Sequence, residues 1–203
     1  MPEPQAVYLI DDDEAVRDSL ALLLEAQGFT VRGFASGPEF LSIASSLAAG
    51  CIITDVRMPE MDGLDLLETL RERKSPLPVI VMTAHGEVSL AIQALRAGAL
   101  EFIEKPFPGQ VLIDAVLSAL KSVGEPHCRG AETTEIARRV ASLTPEEREV
   151  MEELTAGKRS GEIALSLGIE PRVVEVQRAR VMEKMRAPNL SNLVRMAITI
   201  GLV

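Results

Sequence analysis

Cys51-Ile52-Ile53-Thr54-Asp55-Val56-Arg57-Met58-Pro59-Glu60-Met61-Asp62-Gly63 is the stretch from which the fold follows. Its first residues are a short apolar run, which predicts a buried strand. Pro59 and Asp62-Gly63 then force a loop and a turn. Asp55 therefore stands at the carboxyl end of a strand, the rim where open α/β sheets gather their ligands.

The same pattern repeats on both sides. Upstream, Val7-Tyr8-Leu9-Ile10 reads as a strand and ends in Asp11-Asp12-Asp13. Val16, Leu20, Leu23 and Leu24 then fall at helical spacing, and Gly28 stops the helix. Phe29 to Phe34 alternates as a second strand, and Ser36 with Gly37-Pro38 opens a helix through about Ala48. Downstream, a helix runs from Leu64 to about Arg73, and Val79 to Thr83 is a fourth strand. A helix over 87–97 follows, then a strand from Ala99 to Ile103 closed by Lys105-Pro106, and a last helix from Val111 to Val123. Five strand-helix units with apolar strands predict an α/β doubly wound five-stranded parallel sheet, covered on both faces and joined by right-handed crossovers.

In that fold, the loops after the first, third, fourth and fifth strands meet at one rim. They carry Asp11, Asp12, Asp55, Thr83 and Lys105. Three crowded carboxylates resist ionisation unless a cation joins them, and oxygen ligands with room for water suit Mg2+. A hydroxyl and an ammonium beside them can hold phosphoryl oxygens. The constellation predicts a phosphoryl-transfer site with Asp55 as nucleophile and a metal offsetting the developing charge.

The chain has 203 residues, 47% hydrophobic and 25% charged, with no Trp and 3% aromatics, so its cores are aliphatic. Two cysteines form no disulfide framework and suit a reducing cytosol, hence a cytoplasmic location. No apolar run reaches membrane-spanning length, so no membrane partner is expected. The whole formal charge of -9 lies in residues 1–124, and the remainder is neutral. That asymmetry predicts two modules, 5–123 and 143–203, joined by a linker over 124–142. Ala131 to Ser142 has helical spacing, and two alternatives stay open, a helix continuous with the one ending near Val123 or a break at Gly124 and Pro126.

In the second module, Thr144-Pro145-Glu146-Glu147 is a strong helix start. Helices follow to Thr155, from Ser160 to Leu167, from Pro171 to Met185, and from about Leu190 to Ile200. Helix, short Gly-containing turn and longer helix is the helix-turn-helix layout. Val174, Val181 and Met185 share one face of the third helix with Gln177 and should be buried. Residues 170–186 hold five basic and three acidic side chains, a modest excess.

Residues 7–121 resemble the receiver domain of two-component response regulators. Tyr8-Leu-Ile-Asp-Asp-Asp, Thr54-Asp-Val-Arg-Met-Pro-Glu-Met-Asp-Gly, Val81-Met-Thr-Ala-His-Gly and Phe102-Ile-Glu-Lys-Pro-Phe carry the likeness. The resemblance implies a flavodoxin-like sheet of order 2-1-3-4-5 and phosphorylation of Asp55 by a sensor histidine kinase. It implies Mg2+ on Asp12, Asp55 and the backbone carbonyl of Arg57, with Asp11 acting through water. Thr83 and Lys105 would contact the phosphoryl group, Phe102 would switch inward, and His85 would modulate the phosphoryl lifetime. Such a domain catalyses only its own phosphoryl transfer and dephosphorylation, and is not an enzyme beyond that. Phosphorylation is expected to drive homodimerisation through the helix over 87–97 and the strand and helix after it; on the first of these, Ile92 and Arg96 are four apart and so share one side.

Residues 143–203 resemble the four-helix LuxR-type helix-turn-helix domain, through Leu143-Thr-Pro-Glu-Glu-Arg-Glu-Val-Met, Glu162-Ile-Ala, Leu167-Gly-Ile and Pro171-Arg-Val-Val-Glu-Val. Together the modules are similar to NarL/FixJ-type regulators, closest to the FixJ branch. By position, Glu175, Val176 and Ala179 would face bases of promoter DNA, and Arg172, Gln177, Arg178 and Lys184 would hold its backbone. The family's usual Asn-Lys is Ser160-Gly161 here, its usual Thr is Val173, and its usual His is Gln177. These losses leave an alternative open, a protein-interaction regulator or phosphate sink with a degenerate DNA domain. A haloacid-type phosphatase would want a second Asp at position 57, which is Arg.

Overall fold

The five apolar runs pair as a parallel sheet: β1 Ala6–Ile10, β2 Thr30–Phe34, β3 Gly50–Asp55, β4 Val79–Thr83 and β5 Glu101–Glu104. Their order is β2-β1-β3-β4-β5, as expected. In this computed structural model the described residues are 5–83, 88–122 and 129–202. The chain divides into two compact units, Met1–Glu125 and Pro126–Val203.

Helices α1 Glu14–Glu25, α2 Gly37–Ile43, α3 Gly63–Glu72, α4 Val88–Ala97 and α5 Gly109–Ser122 cover the sheet. Side chains alternate across a strand. Val7, Leu9, Cys51, Ile53, Ile80 and Met82 form one buried layer with Leu24 of α1 and Leu112 and Val116 of α5. Tyr8, Ile10, Ile52 and Val81 are buried on the other face. There Phe40 meets Phe34 edge-on at 5.3 Å between ring centres and Tyr8 at 6.1 Å.

Among the boundaries that differ from the sequence expectation, two do so for identifiable local reasons. The second helix ends at Ile43 and gives way to a 3-10 turn over Ala44–Ser46. The hydroxyls of Ser42 and Ser46 donate back to the carbonyls of Glu39 and Ile43, competing with helix propagation. Ala99 belongs to the cap of α4, since its N–H reaches Ala94 O at 2.9 Å, so β5 begins two residues later.

The second unit is all-α: α6 Arg129–Ala141, α7 Pro145–Thr155, α8 Ser160–Leu167, α9 Pro171–Met185 and α10 Leu190–Thr199. Gly168, at φ +66°, ends α8 in the left-handed conformation that favours glycine and makes the tight turn before α9. Val150, Met151, Leu154, Ile163, Val174, Val181, Met185 and Leu193 form its core. Ile136 and Val140 of α6 are buried in the same core, and Arg139 Nη1 donates to Met185 O at 3.0 Å. The linker expected over 124–142 is therefore corrected: from Arg129 onward it is part of this unit, because its apolar spacing finds a hydrophobic partner. Residues 123–128, where a continuous helix was in question, lie outside the described residues.

Candidate functional site

The strand ends supply the first site. Asp11 closes β1 with its carboxylate buried; Oδ1 accepts the N–H of Asp13 at 3.0 Å and Oδ2 accepts Lys105 Nζ at 3.0 Å. Asp55 closes β3; Oδ1 accepts Lys105 Nζ at 2.5 Å and Oδ2 accepts the N–H of Arg57 at 2.9 Å. One ammonium thus bridges two carboxylates 44 residues apart in sequence. Lys105 itself is anchored by its N–H to Thr83 O at 2.8 Å, which brings the ends of β4 and β5 together. Thr83 is buried, Phe102 half-buried and Asp12 exposed at the mouth.

Burial raises the pKa of Asp55 above the usual carboxylate range; the bonds from Lys105 oppose this and the Asp11 charge adds to it. Burial alone would lower that of Lys105, but hydrogen bonds to Asp55 and Asp11 outweigh it and leave the ammonium pKa raised. Lys105 is therefore firmly charged and Asp55 is held with a cation already in contact. One ammonium between two carboxylates leaves the cluster net negative, and its donors are all oxygen, which fits a hard divalent cation. Among the described residues, no group of three or more His, Cys, Asp or Glu side chains is gathered as a ready-made metal cluster. Asp12, at the exposed mouth, is the carboxylate that would have to join.

The loop after β3 is fixed by close backbone approach. A Cβ on Gly63 would stand 2.3 Å from Asp55 O, so only glycine fits, and Asp62 caps α3 immediately before it. A groove of about 480 Å3 lined by Val56, Arg57, Met58, Pro59, Asp62 and Leu90 opens beside this loop. Arg17 was not anticipated. Its Nη1 donates to Asp11 O at 2.7 Å, bracing the acidic loop from α1. A signal existed: cations are disfavoured near a helix N-terminus, so a basic residue there points to a partner. His85 lies outside the described residues.

Ile92 requires correction. It is 2% exposed and packs inward, so it cannot form a dimer face. Residues four apart differ by about 40° around a helix; the buried stripe of α4 is centred between Ile92 and Leu95, which leaves Arg96 exposed beyond its edge.

The second candidate surface is the outer side of α9. Val174, Val181 and Met185 are buried as expected, and Arg172, Glu175, Val176 and Ala179 are exposed while Arg178 is half-buried. Lys184 departs from its expected role as a backbone contact. Its ammonium donates to buried Glu147 Oε2 at 2.6 Å and to Ser142 O at 3.3 Å, tying α9 to α7. The Lys184 bond, with help from the Thr144 N–H, holds the Glu147 carboxyl below its usual range. Gln177 is half-buried, and its side-chain carbonyl is buried without a hydrogen-bond partner among the described residues, so only its NH2 could donate to a phosphate. Glu175 accepts from the Ser160 hydroxyl of α8 rather than from an arginine of its own helix.

Residues 7–117 match the family model described as the response regulator receiver domain, and residues 141–197 match that of bacterial regulatory proteins of the luxR family. The chain is 46% identical to the transcriptional regulatory protein FixJ of Bradyrhizobium diazoefficiens, over 97% of this chain and 96% of that one. It is 47% identical to FixJ of Azorhizobium caulinodans, over 99% and 95%. Crystal structures of full-length FixJ from B. japonicum align with a TM-score of 0.59 at 45% identity, covering 98% of each chain.

Proposed function

The chain belongs to the response regulators that join a receiver domain to a LuxR-type DNA-binding domain, and we propose that Asp55 is the residue through which phosphorylation reaches its transcriptional output. The protein is a phosphorylation-dependent transcriptional regulator, a transcription factor rather than a catalytic enzyme. Its domains imply a histidine kinase and DNA as partners. No helix among the described residues is long and apolar enough to cross a membrane.

The observation that carries the Asp55 assignment is the convergence of Asp55 and Asp11 on Lys105. An Asp55 carboxylate oxygen attacks the phosphorus of the kinase's phosphohistidine. The P–N bond breaks and its electron pair returns to the imidazole, leaving an acyl phosphate on Asp55. The Arg57 N–H and the Lys105 ammonium hold the carboxylate in one orientation for that attack. Asp11, Asp12, Asp55 and the Arg57 carbonyl would hold Mg2+, which supplies neutralisation of the phosphoryl charge. Lys105 and Thr83 then bind phosphoryl oxygens, and Phe102 responds to the movement of Thr83. Slow hydrolysis of the acyl phosphate by the same site returns the switch.

Phosphorylation promotes homodimerisation through the receiver surface around α4 and β5, with exposed Arg96 but not Ile92 in contact. The output helix is α9, which fits the major groove. Glu175, Val176 and Ala179 face bases, while Arg172, Arg178 and the NH2 of Gln177 hold phosphates. Incubation with a small phosphodonor and Mg2+, followed by mass measurement, tests the acceptor. One acid-labile phosphate is expected on the wild type and none on Asp55→Asn; equal labelling of both would overturn the assignment.

A further inference from the structure

One contact joins the two helices of the helix-turn-helix outside its core. Ser160, the first residue of α8, donates its hydroxyl hydrogen to Glu175 Oε1 in the second turn of α9. Arg172 and Arg178 stand three residues to either side of Glu175 and are the partners helix geometry would offer it. Among the described residues, neither forms an ion pair. The carboxylate is held by Ser160, and both guanidinium groups are left for other anions.

We propose that Ser160 is a positioning residue for base choice: it fixes Glu175 by one oxygen so that the other is presented to a base edge. This rests on the reading above that Glu175 faces the bases. An exposed Glu samples many rotamers, and ordering it costs entropy. A bond already made in the free protein removes that cost from the binding step. A carboxylate has about four acceptor sites, so the Ser160 hydroxyl leaves Oε2 able to accept from cytosine N4 or adenine N6. The acceptors on guanine and thymine edges would repel it. That repulsion selects only while the carboxylate stays charged and unpaired. Released from Ser160, it can swing onto Arg172 or Arg178, which removes both the penalty against wrong bases and one cation for phosphate.

The test is selection of binding sites from a random pool, using the full-length phosphorylated protein as wild type, S160A, S160T, E175Q and S160A/E175Q. Wild type and S160T should prefer a cytosine or adenine at one position per half-site. E175Q and S160A should both relax that position, S160A by about 3- to 10-fold, the range of one lost hydrogen bond. The double variant should match E175Q alone. S160A should also lower the salt slope of binding by about 1, one phosphate contact fewer. If E175Q leaves the consensus unchanged, Glu175 is not a base reader and both readings fall. If E175Q relaxes the position and S160A does not, only the role of Ser160 is overturned. The same holds if S160A weakens all sites evenly while every preference is kept, because that is a structural effect.

Discussion

Lys105→Met removes the cation that bridges Asp11 and Asp55 while keeping the length and apolar stem of the side chain. Two charge-assisted bonds are lost, at 2.5 and 3.0 Å. Each is worth about 1.5–3 kcal/mol when well buried. The Lys105 side chain is 29% exposed, so water screens part of that. A loss of about 2–3 kcal/mol at neutral pH is expected. The pH dependence follows from the shifts. Lys105 has a raised pKa, so its contribution is fully present below the unfolded value of 10.5 and is lost only as pH climbs through the folded one. Asp55 already has a raised pKa, and its lowering partner is the residue removed. The variant's folded state therefore takes up a proton on Asp55 more readily as the solution is acidified, and the carboxylate repulsion is relieved. The deficit should be largest at neutral pH and smaller at acid pH. The chain has one Tyr and no Trp; Tyr8 lies buried in β1, so its fluorescence follows unfolding of the receiver alone in a urea titration. An equal deficit at both pH values would refute the argument, since a lost packing contact has no such dependence.

Lys184→Ala should lower the stability of the C-terminal unit by about 1–2 kcal/mol, because a buried carboxylate loses its cation, and leave the salt slope of DNA binding unchanged. Since the Glu147 pKa is lowered on folding, that contribution is present at neutral pH and fades as pH falls through the folded value; helix signal during urea unfolding reads it. Arg178→Ala should instead lower the salt slope by about 1 at constant stability. Gly161→Lys restores a cation where an added Cβ meets nothing within 4 Å, and should tighten binding with a slope steeper by about 1 in salt titrations. Gly63→Ala forces a Cβ against Asp55 O and should cost about 1–3 kcal/mol of receiver stability, together with slower phosphorylation from a small phosphodonor.

The sequence by itself determined which runs are the strands of the receiver and the helix order of the second unit. Apolar strand runs, Thr144 as a cap, Asp62-Gly63 as a turn and Gly168 as a stop act within a few residues of themselves, so their signals are local. The rim of Asp11, Asp55, Thr83 and Lys105 was legible because parallel α/β topology places alternate loops at one end of a sheet. Only tertiary structure decided how side chains are partnered across sequence. Lys184 reads as a phosphate contact until Glu147, 37 residues earlier, is seen beneath it. Ile92 fits a surface patch by spacing, but the sheet beneath α4 sets which side of the stripe is buried. Ile136 and Val140 read as linker because their partners lie on other helices. Ser160 and Glu175 carry no mutual signal in the chain, since an exposed hydroxyl and an exposed carboxylate are each satisfied by water. Their meeting depends on the angle at which α8 and α9 cross, and that angle is set by Ile163, Val174 and the core they share.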